Sequence, residues 1–163
     1  MAKAIASGHK TQTRRLVKSG ISPYSIGMIL WVRETWRVDE HGNYFYLADN
    51  PQHRESVSWK PSIHMPKVAC RIKLCITDLR TEKLSQISEL DAIREGIRMK
   101  PNNIFDKQAI NKYSVSVYNP AFNLNSKTAV GVFKMLWGTI HGDDSWDRDP
   151  DVWVIEFKVL KSF

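Results

Sequence analysis

The chain has 163 residues, 42% hydrophobic and 25% charged, with 24 Lys and Arg against 17 Asp and Glu and a net charge of +7. That balance excludes a disordered or fibrous chain and favours one globular domain able to bury roughly 70% of its unfolded surface. No apolar run approaches the ~18 residues of a membrane span, and no secretory leader pattern opens the sequence, so a cytoplasmic setting without membrane contact is expected.

The excess of base points to an anionic partner, of which nucleic acid is the commonest. It is spread unevenly: residues 1–20 carry Lys3, Lys10, Arg14, Arg15 and Lys18 with no acid at all. A second basic stretch, 53–73, holds His53, Arg54, Lys60, His64, Lys67, Arg71 and Lys73 against Glu55 alone, while acids gather at 78–95 and 143–156.

In chain order, residues 2–7 are Ala-rich and end at Gly8, which predicts a short helix with a glycine C-cap. Gly8-His9-Lys10-Thr11-Gln12-Thr13-Arg14-Arg15 follows without one apolar side chain. Such a run is expected to be a loop rather than a core strand, either coating the surface or lining a site for something anionic. Residues 28–38 are rich in aromatic and β-branched side chains and predict one long strand, interrupted by the polar Arg33 and Glu34. With the turn at His41-Gly42-Asn43 and the run Tyr44–Ala48, residues 29–48 predict a hairpin.

Residues 49–68 are loop-like, with Pro51, Pro61 and Pro66. There Trp59 beside Lys60 offers a surface on which a base could stack, or a Trp that closes a barrel end. Residues 69–80 alternate, with Cys70, Ile72, Leu74 and Ile76 on one face, as a half-buried strand does. Ser88 is the expected N-cap of a helix from Glu89 to Glu95, with Asp91 at the capping-box position, Leu90 and Ile93 as its apolar side and Gly96 as its end. Residues 98–127 show little periodicity and read as an insertion. A clearer amphipathic helix then carries Ala129, Val132, Phe133, Leu136, Trp137 and Ile140 and stops at Gly142. An acidic turn over 143–150 leads to a last strand, 152–160.

Cys70 and Cys75, five apart on one strand, make an unlikely disulfide, and five histidines without paired spacing give no zinc pattern, so neither a metal nor another cofactor is expected. No Gly-rich phosphate loop, nucleophile elbow or carboxylate pair on one helix is visible.

Four segments taken together resemble a known family. Lys10-Thr11-Gln12-Thr13-Arg14-Arg15, Gly27–Arg33, Ile87–Ile97 and Trp153–Phe157 occur in the order found in the ASCH domain, a relative of the PUA RNA-binding domain, and especially in its phage and prophage versions. The resemblance spans most of the chain except 98–127. It implies an α+β fold, a small PUA-like β-barrel with flanking short helices, as a single domain over 1–163 with its insertion at 98–127. It also implies association with RNA or a modified nucleoside. A smaller bacterial branch of the family hydrolyses the acetyl amide of N(4)-acetylcytidine with a Lys, a Thr and a Glu, which by motif fall on Lys10, Thr13 and Glu95.

The leading expectation is a basic cleft that binds RNA or a modified nucleoside, lined by Lys10, Thr13, Arg14, Arg15 and Glu95. Trp31, Arg33, Trp59 and Lys60 are expected to contribute stacking and phosphate contacts. The alternative is an amidohydrolase in which Thr13 is the nucleophile, Lys10 its base and Glu95 an acid/base group. A ribonuclease using Lys and Arg to stabilise phosphate charge ranks last, because no acid/base pair of histidines is evident. Nothing in the sequence fixes an oligomeric state.

Overall fold

The computed structural model describes residues 1–18, 20–99, 113–115 and 125–160. In chain order these residues form helix α1 (Ala2–Ala6), strands β1 (Gln12–Leu16), β2 (Ile29–Trp31), β3 (Trp36–Val38), β4 (Tyr44–Tyr46) and β5 (Lys73–Lys83), and helix α2 (Glu89–Arg94). Strands β6 (Ile97–Met99), β7 (Tyr113–Val115) and β8 (Asn125–Ser126), helix α3 (Ala129–His141) and strand β9 (Asp151–Leu160) complete them.

The fold is mixed α+β, built on an antiparallel four-stranded sheet of order β1-β9-β5-β2 that curls into a half-barrel. The long central pair, β5 and β9, runs in register from Lys73 opposite Leu160 to Lys83 opposite Asp151. It is broken once, where Thr77 is the extra residue between Ile76 and Asp78. A bulge of this kind bends its strand and increases the local twist, which suits a sheet that must curl.

Helices α2 and α3 cover one part of the sheet: Ala92, Val132, Phe133 and Trp137 pack with Leu84, Val152 and Val154. Helix α1 covers another through Ile5, which meets Ile72, Leu74 and Phe157. The caps read from the sequence are in place. The Ser88 hydroxyl oxygen accepts from the Asp91 amide at 3.1 Å, Thr128 accepts from the Gly131 amide at 3.0 Å, and Gly8, Gly96 and Gly142 all take positive φ. Glu89 adds a cap that spacing could not reveal, its two carboxylate oxygens accepting from the Ala129 and Val130 amides at 2.8 and 3.2 Å. An anionic side chain at a helix N-terminus also meets the positive end of the macrodipole.

Two expected elements are different. The long strand over 28–38 is two short ones that belong to different sheets. β2 pairs with β5, and β3 pairs with β4 around the turn from Asp39 to Asn43, so the hairpin is confined to 36–46. The apolar pattern runs on across the break because Trp31 and Trp36 pack into one cluster with Met65 and Ala69. The polar interruption is where the strands part: buried Glu34 is held by Arg71 through two bonds of 2.8 Å, from Nε and Nη2.

Helix α2 is likewise turned from its expected face. Leu90 and Ile93 are exposed while Ala92 is fully buried, and Asp91 and Glu95 face inward. Of the expected insertion, only Arg98, Met99, β7, β8 and Lys127 fall within the described residues. There β6, β7 and β8 pair as a small antiparallel sheet. Among the described residues no helix is long and apolar enough to cross a membrane.

Candidate functional site

The polar run after Gly8 is a strand, not the expected loop. Gln12–Leu16 pairs antiparallel with β9, from Gln12 opposite Glu156 to Leu16 opposite Val152. Gln12 and Arg14 are among the most completely buried side chains of the protein, at 0% and 2% exposure. An isolated guanidinium would not survive there, because burying a charge costs several kcal/mol unless partners replace its water. Arg14 has three such partners, from β5 and from α2 and its C-terminal end. Its Nη2 contacts Glu82 of β5 and lies 3.5 Å from Asp91 of α2, and its Nη1 lies 3.5 Å from Glu95. Gln12 joins the network once its amide is turned so that the oxygen faces Arg14 Nη1 at 2.6 Å and the nitrogen faces Asp91 at 3.1 Å, the orientation that satisfies both ends. Three carboxylates thus make a polar strand a core strand.

Lys10 enters the same interior from just before β1. It is 5% exposed, and its Nζ donates to the Glu95 side chain at 2.5 Å and to the Glu95 backbone oxygen at 2.8 Å. Loss of water around the ammonium lowers the Lys10 pKa below its ordinary value; Glu95 works against that shift, and Arg15 and Arg14 add to it. The second Glu95 oxygen, Oε1, is buried and accepts no hydrogen bond among the described residues.

Gly96 makes the approach possible. It adopts φ +100°, and a Cβ there would lie 3.3 Å from Cβ of Lys10. Gly96→Ala is therefore expected to destabilise the fold by roughly 1–2 kcal/mol from left-handed backbone strain alone. Urea denaturation would show it as a lowered midpoint with an unchanged slope. An unchanged midpoint would mean that Gly96 does not hold the positive φ on which the chain leaves α2.

Lys10, Thr13, Arg14 and Glu95 all line one cleft of about 570 Å³ between the sheet and α3. Thr13 faces it from β1, half-buried, with its hydroxyl in no hydrogen bond among the described residues. One wall carries Trp31 with the Arg33 guanidinium 4.6 Å from its ring centroid. Helix α3 lines the cleft with Trp137, whose ring centroid lies 4.1 Å from that of His141 with the two planes tilted by 36°. Burial and the nearby Arg15 guanidinium lower the His141 pKa, so near neutral pH the ring is mainly uncharged. Trp137 Nε1 is buried with no partner among the described residues. The volume falls within the several hundred Å³ common to small-molecule sites.

Of the nine side chains expected at a site, seven line this cleft: Lys10, Thr13, Arg14, Arg15, Trp31, Arg33 and Glu95. Trp59 and Lys60 lie elsewhere. Trp59 donates to the His53 backbone oxygen at 2.9 Å with Arg37 5.9 Å from its ring, and Lys60 lies over Trp36 at 4.9 Å. Lys60 pairs with Trp36 of β3 across an isolated antiparallel bridge, which holds this segment to the hairpin, and neither side chain lines the cleft.

Trp137 and His141 were not anticipated as site residues. Their helical spacing signals core, and only the i, i+4 placement of an aromatic and a titratable ring hinted at more. Gln12, Glu82 and Asp91 were missed as well, because their partners are remote in sequence.

Compared with known proteins, the chain matches no family model, no curated sequence and no solved structure.

Proposed function

We propose that the cleft binds one modified pyrimidine nucleoside, free or within RNA, with its base on the Lys10–Glu95 floor between the two tryptophan walls. The observation that carries this is the buried Lys10–Glu95 pair, whose Glu95 Oε1 has the Arg14 Nη1 charge 3.5 Å away but accepts no hydrogen bond among the described residues. Buried carboxylate oxygens are rarely left unmatched, and a ligand N–H would satisfy this one. The exocyclic amine or amide of a pyrimidine supplies such a donor, and aromatic walls favour a flat ring. The resemblance to ASCH domains and the curled antiparallel sheet support the same reading, with a PUA-like barrel as its scaffold.

A second reading, amide hydrolysis, is favoured by Thr13. Its hydroxyl faces the cleft uncommitted, beside a lysine whose pKa is lowered. In that reaction neutral Lys10 takes the Thr13 proton and the hydroxyl oxygen attacks the acetyl carbonyl of N(4)-acetylcytidine. The C–N bond breaks as the leaving amine is protonated, with Glu95 as the acid. Glu95, now a carboxylate, takes a proton from the water that attacks the acetyl carbon, and acetic acid leaves as the Thr13 oxygen takes its proton back from Lys10.

One titration separates the two. Trp31 and Trp137 line the cleft, so N(4)-acetylcytidine is expected to change tryptophan fluorescence saturably, while release of cytidine is followed in the same samples. Binding together with cytidine release that Thr13→Val abolishes supports hydrolysis. Binding without release leaves recognition alone. No saturable change, confirmed by calorimetry, overturns both.

A further inference from the structure

The cations of the cleft fall into two sets. At the floor, Lys10 and Arg14 are matched by Glu95, Glu82 and Asp91. At the mouth, Arg15 and Arg33 are exposed and have no carboxylate partner among the described residues. Every arginine ion pair among the described residues belongs to Arg14, Arg71, Arg80 or Arg94. Arg15 donates to the backbone oxygen of Arg14 at 3.1 Å, and Arg33 to that of Ile63 at 3.2 Å while lying over Trp31. Both guanidiniums are steadied by neutral oxygens and an aromatic face, with donors still unused, since each carries five.

Their placement follows from the topology. Arg15 is on β1 and Arg33 lies just beyond β2, the two edges of the four-stranded sheet, which curls to bring both to one cleft. A neutral nucleoside leaves these charges unanswered. Guanidiniums match a phosphate through paired, charge-assisted donors.

Resting on the reading of the floor as a nucleoside site, we infer that the true ligand is phosphorylated, a nucleotide whose phosphate is gripped at the mouth by Arg15 and Arg33. The phosphate ester is common to a free nucleotide and to an RNA chain.

The experiment measures affinity by calorimetry for three probes at low salt: N(4)-acetylcytidine, its 5′-monophosphate, and a short single-stranded oligoribonucleotide carrying that base centrally. A charged hydrogen bond is worth enough to make the phosphorylated probes roughly tenfold to a hundredfold tighter than the nucleoside. The gain should shrink with added salt as the mouth is screened. In Arg15→Ala and Arg33→Ala the ratio of nucleotide to nucleoside affinity should fall towards one. A preference for the oligoribonucleotide identifies an RNA chain as the source of the phosphate, and a preference for the monophosphate identifies a free nucleotide. Equal affinity for nucleoside and both phosphorylated probes overturns the inference alone, as does a gain that survives both substitutions. Failure of all three probes to bind overturns the reading of the floor as well.

Discussion

Glu95→Ala is expected to destabilise the protein by about 3–5 kcal/mol, the cost of leaving a buried charge without its partner. Lys10 is 95% hidden from solvent, and its ammonium is met by two oxygens of one residue, of which the substitution removes the carboxylate and leaves the backbone carbonyl. The double variant Lys10→Met, Glu95→Leu tests the cause. Replacing a buried pair by apolar side chains of similar volume is often neutral or stabilising, so the double variant should recover most of the loss. Arg14 would keep Glu82 and Asp91 in that background. Urea denaturation of wild type, both single variants and the double gives the coupling directly. Additive losses would show that the two side chains do not form the buried pair on which the site depends. The double variant should also lose all nucleoside binding while remaining folded, which separates the pair's chemical role from its structural one.

Arg14→Met should cost a comparable amount, again about 3–5 kcal/mol, for the opposite reason: carboxylates are left without their cation. Glu82 and Asp91 retain Arg80, at 3.3 and 3.7 Å, which limits the loss. The pH dependence discriminates. Burial works to raise the Asp91 carboxyl, and the Ser88 hydroxyl and Arg14 outweigh it, so the group titrates below its ordinary range. A depressed carboxylate contributes stability that is present above its unfolded pKa, near ~3.9, and lost as pH falls through the folded value. Removing Arg14 removes part of that contribution. The gap between wild type and Arg14→Met should be widest at neutral pH and narrow below pH ~4. A gap that is constant with pH would mean that Arg14 acts through packing on Phe133, whose ring centroid lies 5.9 Å from its guanidinium carbon.

What could be read from the sequence was local. Helix α3 declares itself because apolar spacing and Gly142 agree on one helix, and β9 because its run is long and β-branched. The Ser88 cap was visible because it is satisfied within its own turn. What escaped depends on partners far along the chain. A Gln and an Arg look like surface until three carboxylates of β5 and α2 are known to stand over them, so from sequence alone β1 reads as a loop. The same carboxylates turn α2 inside out relative to its apolar residues. The break after Trp31 was hidden because both halves bury aromatics in one cluster, so the hydrophobic pattern never lapses. At the site, motif resemblance groups Lys10, Thr13 and Glu95, something composition and periodicity could not do with Lys10 and Glu95 85 positions apart. The helix wall of Trp137 and His141 lay outside both kinds of signal.

The pairing of β1 with β9 sets the order in which the protein can be made. β1 has its hydrogen-bonding partner in β9, Gln12 opposite Glu156, so it stays without that partner until the residues up to β9 have been made. An apolar strand held in that position would be an exposed, sticky edge for as long as the ribosome takes to finish. A segment of Lys10, Gln12, Arg14 and Arg15 remains hydrated instead and gives up its water only when β9 and the carboxylates of β5 and α2 are all present. The polarity that disguises this strand in the sequence is thereby a safeguard for the nascent chain.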